Sequence, residues 1–461
     1  MTVETSMYAM KKLQGDMMTP ISVYQSLEGE RKMLFESSAK HEESGRYSFI
    51  TVSPIAELVG DAQGYSYTTS ERKEQSTGAV LEKLKEVMPI HDTNYPFAFF
   101  GGAIGLFGYE TAFYAEKIGE LLHDELEMPE VHVFFYDTFI IFDHLTQEIT
   151  LAAIDLFGEG RTIDDMEAAV ALLETQLHSG KTFGAMELGE MNFQPMIPKE
   201  QFVAMVEQAK QHIVKGDIFQ IVLSQRFSST FSGNPFALYR QLRTSNPSPY
   251  MFYMDFGPYT ILGTSPESLV KVKGRKVTTN PIAGTKPRGQ TPEIDREIAT
   301  GLLEDEKEIA EHRMLVDLGR NDIGRISKVG TVELIKYMKI EYYKYVMHIV
   351  SEVTGELRDD LHVLDALKAC LPAGTVSGAP KIRAMQLINE MEPVKRGVYA
   401  GAVGYISVTG DMDLALAIRT MIVKDGRAHV QAGAGVVYDS IPESEYEETL
   451  NKARALLEVK R

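Results

Sequence analysis

An α+β fold built on a large, mostly antiparallel sheet is the architecture this sequence predicts. Two observations carry it. Several short β-rich runs follow one another between long helical stretches, in place of a strand-helix-strand alternation. Close turn signals join neighbouring β-rich runs late in the chain, at Gly410-Asp411 and Asp425-Gly426, the latter a type I′ hairpin dipeptide.

Taken in order, the first half reads as mixed short strands and helices. Val131–Phe142 and Glu148–Asp155 are rich in β-branched and aromatic residues and too short for a helix to be preferred. Thr162–His178 has helical periodicity, acids in its first turn and a histidine at its end. Gly180–Pro198 sustains neither period and carries several glycines, so it reads as a boundary or exposed connection. It divides an N-terminal part, 1–190, from a C-terminal part, 191–461. In the latter, helices are expected at Lys199–Lys215, Asp295–Leu318, Asp359–Ala369, Ala379–Glu390 and Glu443–Val459. Strands are expected at Phe219–Phe227, Met251–Phe256, Tyr259–Leu262, Leu269–Val272 and, as a meander, from Ala400 to Val437.

Composition bounds the function. Of 461 residues, 44% are hydrophobic and 24% charged, which supplies a sizeable core and excludes disorder. The net charge of −18 argues against a nucleic-acid binder, so an anionic ligand must meet local cations or a metal. A single cysteine excludes a disulfide framework and fits a reducing compartment. With no signal peptide and no apolar run of spanning length, a cytoplasmic protein without membrane association is expected. Tryptophan is absent altogether.

The Asp425-Gly426 turn pairs Lys424 with Arg427 and, counted back, sets Arg419 opposite Ala432. Leu414, Leu416, Ile418 and Ile422 then form one apolar face, with Arg419 on the other beside Ala415 and Ala417. The facing Ala432–Gly435 run lets backbone N–H groups approach an oxygen-rich group, so a carboxylate clamp is open beside the reading of ordinary sheet glycines. The last helix opens with Ser440-x-x-Glu443, a capping-box pattern, and buries Tyr446, Leu450, Ala453 and Leu457. Glu445, Glu448 and Lys452 share its second face, as Glu308, Glu311, His312 and Leu315 share a face of an earlier helix. Spacing alone favours solvated faces there, although two carboxylates with substrate oxygens also suit a hard cation.

Joint occurrence and order change that balance. Thr264–Glu267, PIAGTKPRG at Pro281–Gly289, Ala310-Glu311-His312 and LVDLGRNDIGR at Leu315–Arg325 are followed by PAGTVSGAPK at Pro372–Lys381, Ala417-Ile418-Arg419 and Ala432–Gly435. The series resembles the chorismate-utilising enzymes, and among them the anthranilate synthase component I family. The resemblance covers the chain, densely from about Gln201 to Leu457 and loosely over the first 190 residues.

That resemblance implies two sheets packed as a sandwich with outer helices, and conversion of chorismate and ammonia to anthranilate and pyruvate in tryptophan biosynthesis. Glu311 and Glu448 look like ligands of Mg²⁺, which would hold the ring carboxylate of chorismate. Arg419, Tyr399 and the Gly433-Ala434-Gly435 backbone resemble the grip on the enolpyruvyl carboxylate, Gly284 and Thr285 the loop at the ring carboxylate, and Lys452 a charge-compensating neighbour. Glu267 is similar to the general acid for the departing C4 hydroxyl and must be partly desolvated to stay protonated. His348 aligns with the histidine of the aminase and its lyase step, and Gln220 and Thr375 complete the catalytic set. By the family patterns, isochorismate-forming relatives carry a lysine base where Gln220 stands, and aminodeoxychorismate synthases a lysine nucleophile where Ala283 stands. Both differences favour anthranilate formation. A non-catalytic chorismate or tryptophan sensor is the alternative from another class, and it has no need of an acid.

Cys370 lies outside any nucleophile elbow, so glutamine use requires a separate glutamine amidotransferase subunit and a hetero-oligomer is expected. Leu34–Ser37 resembles the N-terminal motif for feedback tryptophan, and Asn246–Met251 its C-terminal partner. Glu36 and Ser37 would accept from the ligand's ammonium, and Pro249, Tyr250 and Met251 would line an apolar slot. The two parts of the chain are expected to interleave in the sheets, 1–190 carrying part of that feedback site and 191–461 the chorismate site.

Overall fold

β-Branched and aromatic runs from the two ends of the chain zip together into two sheets, described by a computed structural model that covers residues 8–37, 45–179, 184, 186–343 and 346–458. Every strand pairing among the described residues is antiparallel. The first sheet runs from Tyr8–Gln14 through Glu148–Ile154, Thr138–Asp143, Tyr47–Thr51 and Met33–Glu36. It continues through Tyr250–Asp255, Tyr259–Ser265, Thr420–Lys424, Arg427–Val436 and Gln220–Thr230. The second runs from Ile282–Pro287 through Val346–Glu356, Lys276–Thr279, Ser268–Lys273, Met412–Leu416 and Ala402–Ser407 to Gly102–Phe107, Val131–Tyr136 and Ala56–Gly60. Each sheet therefore joins early and late chain at one strand pair: Met33–Glu36 with Tyr250–Asp255 in the first, Gly102–Phe107 with Ala402–Ser407 in the second.

The inner faces pack on each other. Phe252, Met254 and Ile261 of the first sheet share one core with Leu58, Val133, Ile104 and Val403 of the second. Alternation along each strand sends the other face outward, where Leu34, Tyr253 and Leu262 meet the helices Pro20–Ser26, Ile163–Leu177 and Pro235–Ser245. This is the expected α+β sandwich with outer helices.

Local differences from the sequence reading have physical reasons. The stretch Asp295–Leu318 is two helices, Pro292–Glu304 and Glu306–Ile326, because the Asp305 carboxylate caps Lys307 N and Glu308 N and starts a new helix. The run from Ala400 to Val437 is not one meander: Met412–Leu416 belongs to the second sheet and Thr420–Lys424 to the first. The hairpin register does hold, with Lys424 opposite Arg427, but pairing stops at Met421 with Val430, so Arg419 lies on the crossing between sheets and not on a strand opposite Ala432. Ser440 does not cap the last helix. Its hydroxyl accepts from Val437 N, while Ile441 precedes Pro442 at the helix start. Leu456, rather than Leu457, completes that helix's buried stripe. Residues 180–183, 185 and 459 of the expected connection and last helix fall outside the described residues.

Candidate active site

The sheets and two helices enclose a cleft of about 540 Å³. The first sheet contributes Gln220, Gly433 and Gly435, and the second His348, Gly284 and Thr285. Helix Glu306–Ile326 adds Glu308 and Glu311, and helix Pro442–Leu457 adds Glu445, Glu448 and Lys452. Glu267, Thr375, Tyr399 and Arg419 close it. Of the residues singled out for chorismate, catalysis and metal, Ala434 alone is not in the lining: strand alternation turns its methyl away between two glycines that face the cavity. His312 also turns away, buried and bonded through Nε2 to Ser351 Oγ at 2.7 Å.

Arg419 is the cationic centre. It follows the apolar strand Met412–Leu416 where the chain leaves the second sheet, and its φ of +48° is an uncommon conformation for a side-chain-bearing residue. Backbone bonds fix the crossing: Leu416 N to Glu267 O at 3.0 Å, Ala417 N to Gly401 O at 2.8 Å and Thr264 N to Arg419 O at 3.1 Å. Among the described residues its guanidinium makes no hydrogen bond and no ion pair, and burial pulls its proton affinity down against the pull of Glu267. A half-buried cation so placed, beside glycines without side chains, can hold an anion. Gly433 is needed there: a Cβ would come within 2.7 Å of Tyr399 Oη and 2.9 Å of Leu223 O. Gly284, at φ +63° in a bulge between Ala283 and Thr285, has a similar reason, since a Cβ would sit 3.2 Å from Glu308 Oε2.

Two buried groups have proton affinities moved by their surroundings. Glu267 is buried, and burial raises its carboxyl to about 7, outweighing the Thr375 hydroxyl donated to it at 2.9 Å and the charges of Arg419 and Lys452. His348 shares a hydrogen bond with Thr285 Oγ1 at 2.9 Å, and burial together with Arg419 lowers it to about 4, so its ring is neutral near pH 7. Gln220 donates to Glu311 at 3.2 Å, while its own buried amide oxygen has no partner among the described residues.

Two helices bring carboxylates to the same cleft. Glu308 is raised by burial and by Glu311; Glu445 is raised by burial and by Glu448, although Ser440 opposes this. Lys452 offsets part of the charge, pairing Glu448 at 2.7 Å while donating to Gly433 O at 3.1 Å. Among the described residues no three His, Cys, Asp or Glu side chains group closely enough to hold a metal unaided. Surplus negative charge of this kind fits a hard cation that takes one or two protein carboxylates and completes its shell with ligand oxygens. Glu308 and Glu445 extend the predicted set, and their signal was the shared helix face with Glu311 and Glu448.

The residues expected to bind tryptophan lie elsewhere, where Glu36 pairs Met251 across the first sheet. They divide between the two faces of that sheet. Glu36 is buried and already accepts from Tyr239 Oη at 2.6 Å and from Arg243 Nε and Nη2 at 2.8 Å, which leaves one lone pair on Oε1 for a further donor. Met251 points with it to the helix side, whereas Tyr250 faces the sandwich interior and donates to Asp413 at 3.0 Å. Ser37, one step beyond Glu36, has a buried hydroxyl with no partner among the described residues, and Pro249 precedes the strand.

A two-sheet sandwich whose cleft gathers an arginine, a buried carboxyl and the carboxylates of two helices defines a class, and comparison supplies its name: the chain belongs to the chorismate binding enzymes, whose family model matches residues 30–458. Within that class it groups with anthranilate synthase component 1. It is 45% identical over 454 residues to that protein of Lactococcus lactis subsp. lactis (strain IL1403), spanning 98% of this chain and 100% of the other. Identity is 44% over 460 residues with that of Aquifex aeolicus (strain VF5), spanning 97% and 93%. The crystal structure of anthranilate synthase component I from Streptococcus pneumoniae TIGR4 superposes with a TM-score of 0.84 at 46% identity, covering 96% of this chain and 98% of that one.

Proposed function

We propose that this chain is the aminase component of an anthranilate synthase, converting chorismate and ammonia to anthranilate and pyruvate for tryptophan synthesis. One observation carries the reading: a half-buried arginine without a partner among the described residues and a carboxyl raised to about 7 share a cleft with carboxylates of two helices. Arg419 and the Gly433–Gly435 backbone grip the enolpyruvyl carboxylate, with Tyr399 beside them. Glu311 and Glu448 would hold Mg²⁺, with Glu308 and Glu445 adding negative charge in the same cleft. When bound, that ion supplies positive charge for the ring carboxylate next to Gly284 and Thr285. The free amide oxygen of Gln220 can accept an N–H of ammonia and aim its lone pair at ring C2. As the C2–N bond forms, the C4 hydroxyl leaves with the proton of Glu267, whose orientation Thr375 fixes. The neutral ring of His348 then takes the C2 proton as the ring C3–O bond breaks and enolpyruvate leaves, which gains a proton at its methylene carbon to become pyruvate. Gln220 lacks a base's proton affinity and Ala283 has no nucleophile, which supports amination over hydration or covalent transfer.

The reading includes a glutamine amidotransferase partner, a cytoplasmic setting and tryptophan feedback where residues 1–190 meet 191–461. The thiol of Cys370 supports the partner: it is buried and pushed up to about 12 by that burial, so it is no nucleophile. Among the described residues no helix is long and apolar enough to cross a membrane. For feedback, the support is the Ser37 hydroxyl, buried without a partner among the described residues and next in sequence to the strand Met33–Glu36 that pairs with Tyr250–Asp255. Pure protein mixed with chorismate, Mg²⁺ and ammonium should give fluorescent anthranilate and equimolar pyruvate. Saturable chorismate binding without product would favour the sensor. Glutamine offered to the chain by itself should give nothing, and glutamine-dependent anthranilate free of contaminating glutaminase would contradict the need for a partner.

A further inference from the structure

Arg396 is not in the lining of the cleft, yet its guanidinium is tied to three separate segments that are. Nη1 donates to Val376 O at 2.7 Å and Nη2 to Val222 O at 2.8 Å, and both valines line the cleft. The third segment is Tyr399, whose ring centroid lies 5.5 Å from the guanidinium carbon. Glu392 anchors the cation, accepting from Nε at 2.8 Å and Nη2 at 2.6 Å, and the same carboxylate takes Ser224 N at 2.8 Å and Ser224 Oγ at 2.9 Å. Glu110, from the early part of the chain, holds the backbone N–H groups of Arg396 and Gly397 at 2.8 and 3.0 Å. The Tyr109 ring packs on the guanidinium at 4.9 Å.

We propose that Arg396 is a positioning residue for the cleft: it holds the Tyr399 phenol against Gly433 and fixes the turn that presents Thr375 to Glu267. The proposal rests on the chorismate reading of this cleft. A fully buried ion pair is weak support for stability, because apolar residues of similar size often do as well. What apolar packing cannot do is bond two carbonyls in defined directions while stacking on a ring, and a planar guanidinium can. Val376 adjoins Thr375, and Val222 pairs with Gly435 in the strand facing the clamp, so the bonds of one side chain reach both the acid side and the carboxylate side of the site.

The test is Arg396→Lys, which keeps the charge opposite Glu392 but loses the planar fork and the stacking. In a protein whose melting shows it folded, KM for chorismate should rise and kcat fall, each by roughly tenfold, as expected for a displaced binding and reacting group. Combined with Tyr399→Phe, the loss in kcat/KM should be smaller than the product of the two single losses. Parameters within twofold of wild type would overturn the proposal. So would multiplicative effects with Tyr399→Phe, or a fall in kcat alone that matches a smaller folded fraction. If Arg396→Lys does not fold, the double substitution Arg396→Met with Glu392→Met, which leaves no unpaired buried charge, is judged by the same readouts. Failure of that variant to fold assigns Arg396 to structure and ends the proposal. Wild-type turnover is measured first, so that absence of anthranilate from wild type counts against the function and not against Arg396.

Discussion

Burial moves the proton affinities of Glu267 and His348 in opposite directions, and that leaves a pH window with a definite sign. With Glu267 at about 7 and His348 at about 4, the acid is protonated and the base neutral between those values. The pH profile of kcat/KM for chorismate reports groups of the free enzyme. Expressed per free ammonia, it should fall tenfold per pH unit above about 7, and Glu267→Gln should lose most of the rate together with that limb. A wild-type profile flat to pH 9 would remove Glu267 as the acid. Stability follows the same shift: the folded state keeps the Glu267 proton where the unfolded chain has lost it, so wild type loses stability as pH rises through about 7. Relative to wild type, Glu267→Gln should therefore be more stable in urea at pH 8 than at pH 5. Glu448→Gln should abolish Mg²⁺-dependent turnover with the fold intact, because it removes half of the expected protein charge on the ion. Near-normal activity at saturating Mg²⁺ would take Glu448 out of the ligand set.

At the scale of elements, local chemistry was legible in the sequence where it acted alone and hidden where tertiary contacts won. Thr162 with Asp165 three residues on forms a true capping box, and helix Ile163–Leu177 starts there as read. Thr162→Ala should cost about 1 kcal/mol in chemical denaturation without touching activity; a change below a tenth of that would mean the cap is idle. Ser440 and Glu443 have the same spacing, yet the loop carbonyls and Pro442 set that helix start, which no four-residue pattern reveals. The crossing at Ala417–Arg419 reads as strand in the sequence because alternation continues through it. Its departure depends on bonds to Gly401, just ahead of a strand of the second sheet, and to Thr264 in the first, which no local pattern reveals. The cleft residues were legible through motif order, not through spacing: periodicity put Glu311 and Glu448 on helix faces and left those faces solvated. Arg396 and Glu392 had no signal at all, since their role lies in bonds to Val222 and Val376.

On the scale of the whole molecule, the two ends of the chain are laced into common sheets, so a ligand at one joint can be felt at the other. The proposed feedback site touches the joint between Met33–Glu36 and Tyr250–Asp255, and Tyr250 reaches Asp413, on the strand that leads to Arg419. Coupling of that kind is reciprocal: chorismate should weaken tryptophan binding by the factor with which tryptophan weakens chorismate binding. Ser37→Phe should lose the inhibition. Equal responses of wild type and Ser37→Phe, or none at millimolar tryptophan, would discard the site. The crossing at Arg419 has a consequence of its own. Because the clamp residue belongs to neither layer and is pinned to both, it works as a vernier between them. A slip of one sheet past the other, too small to break any strand pairing, would still swing the guanidinium off its mark, so the enzyme can be throttled by alignment without being unfolded.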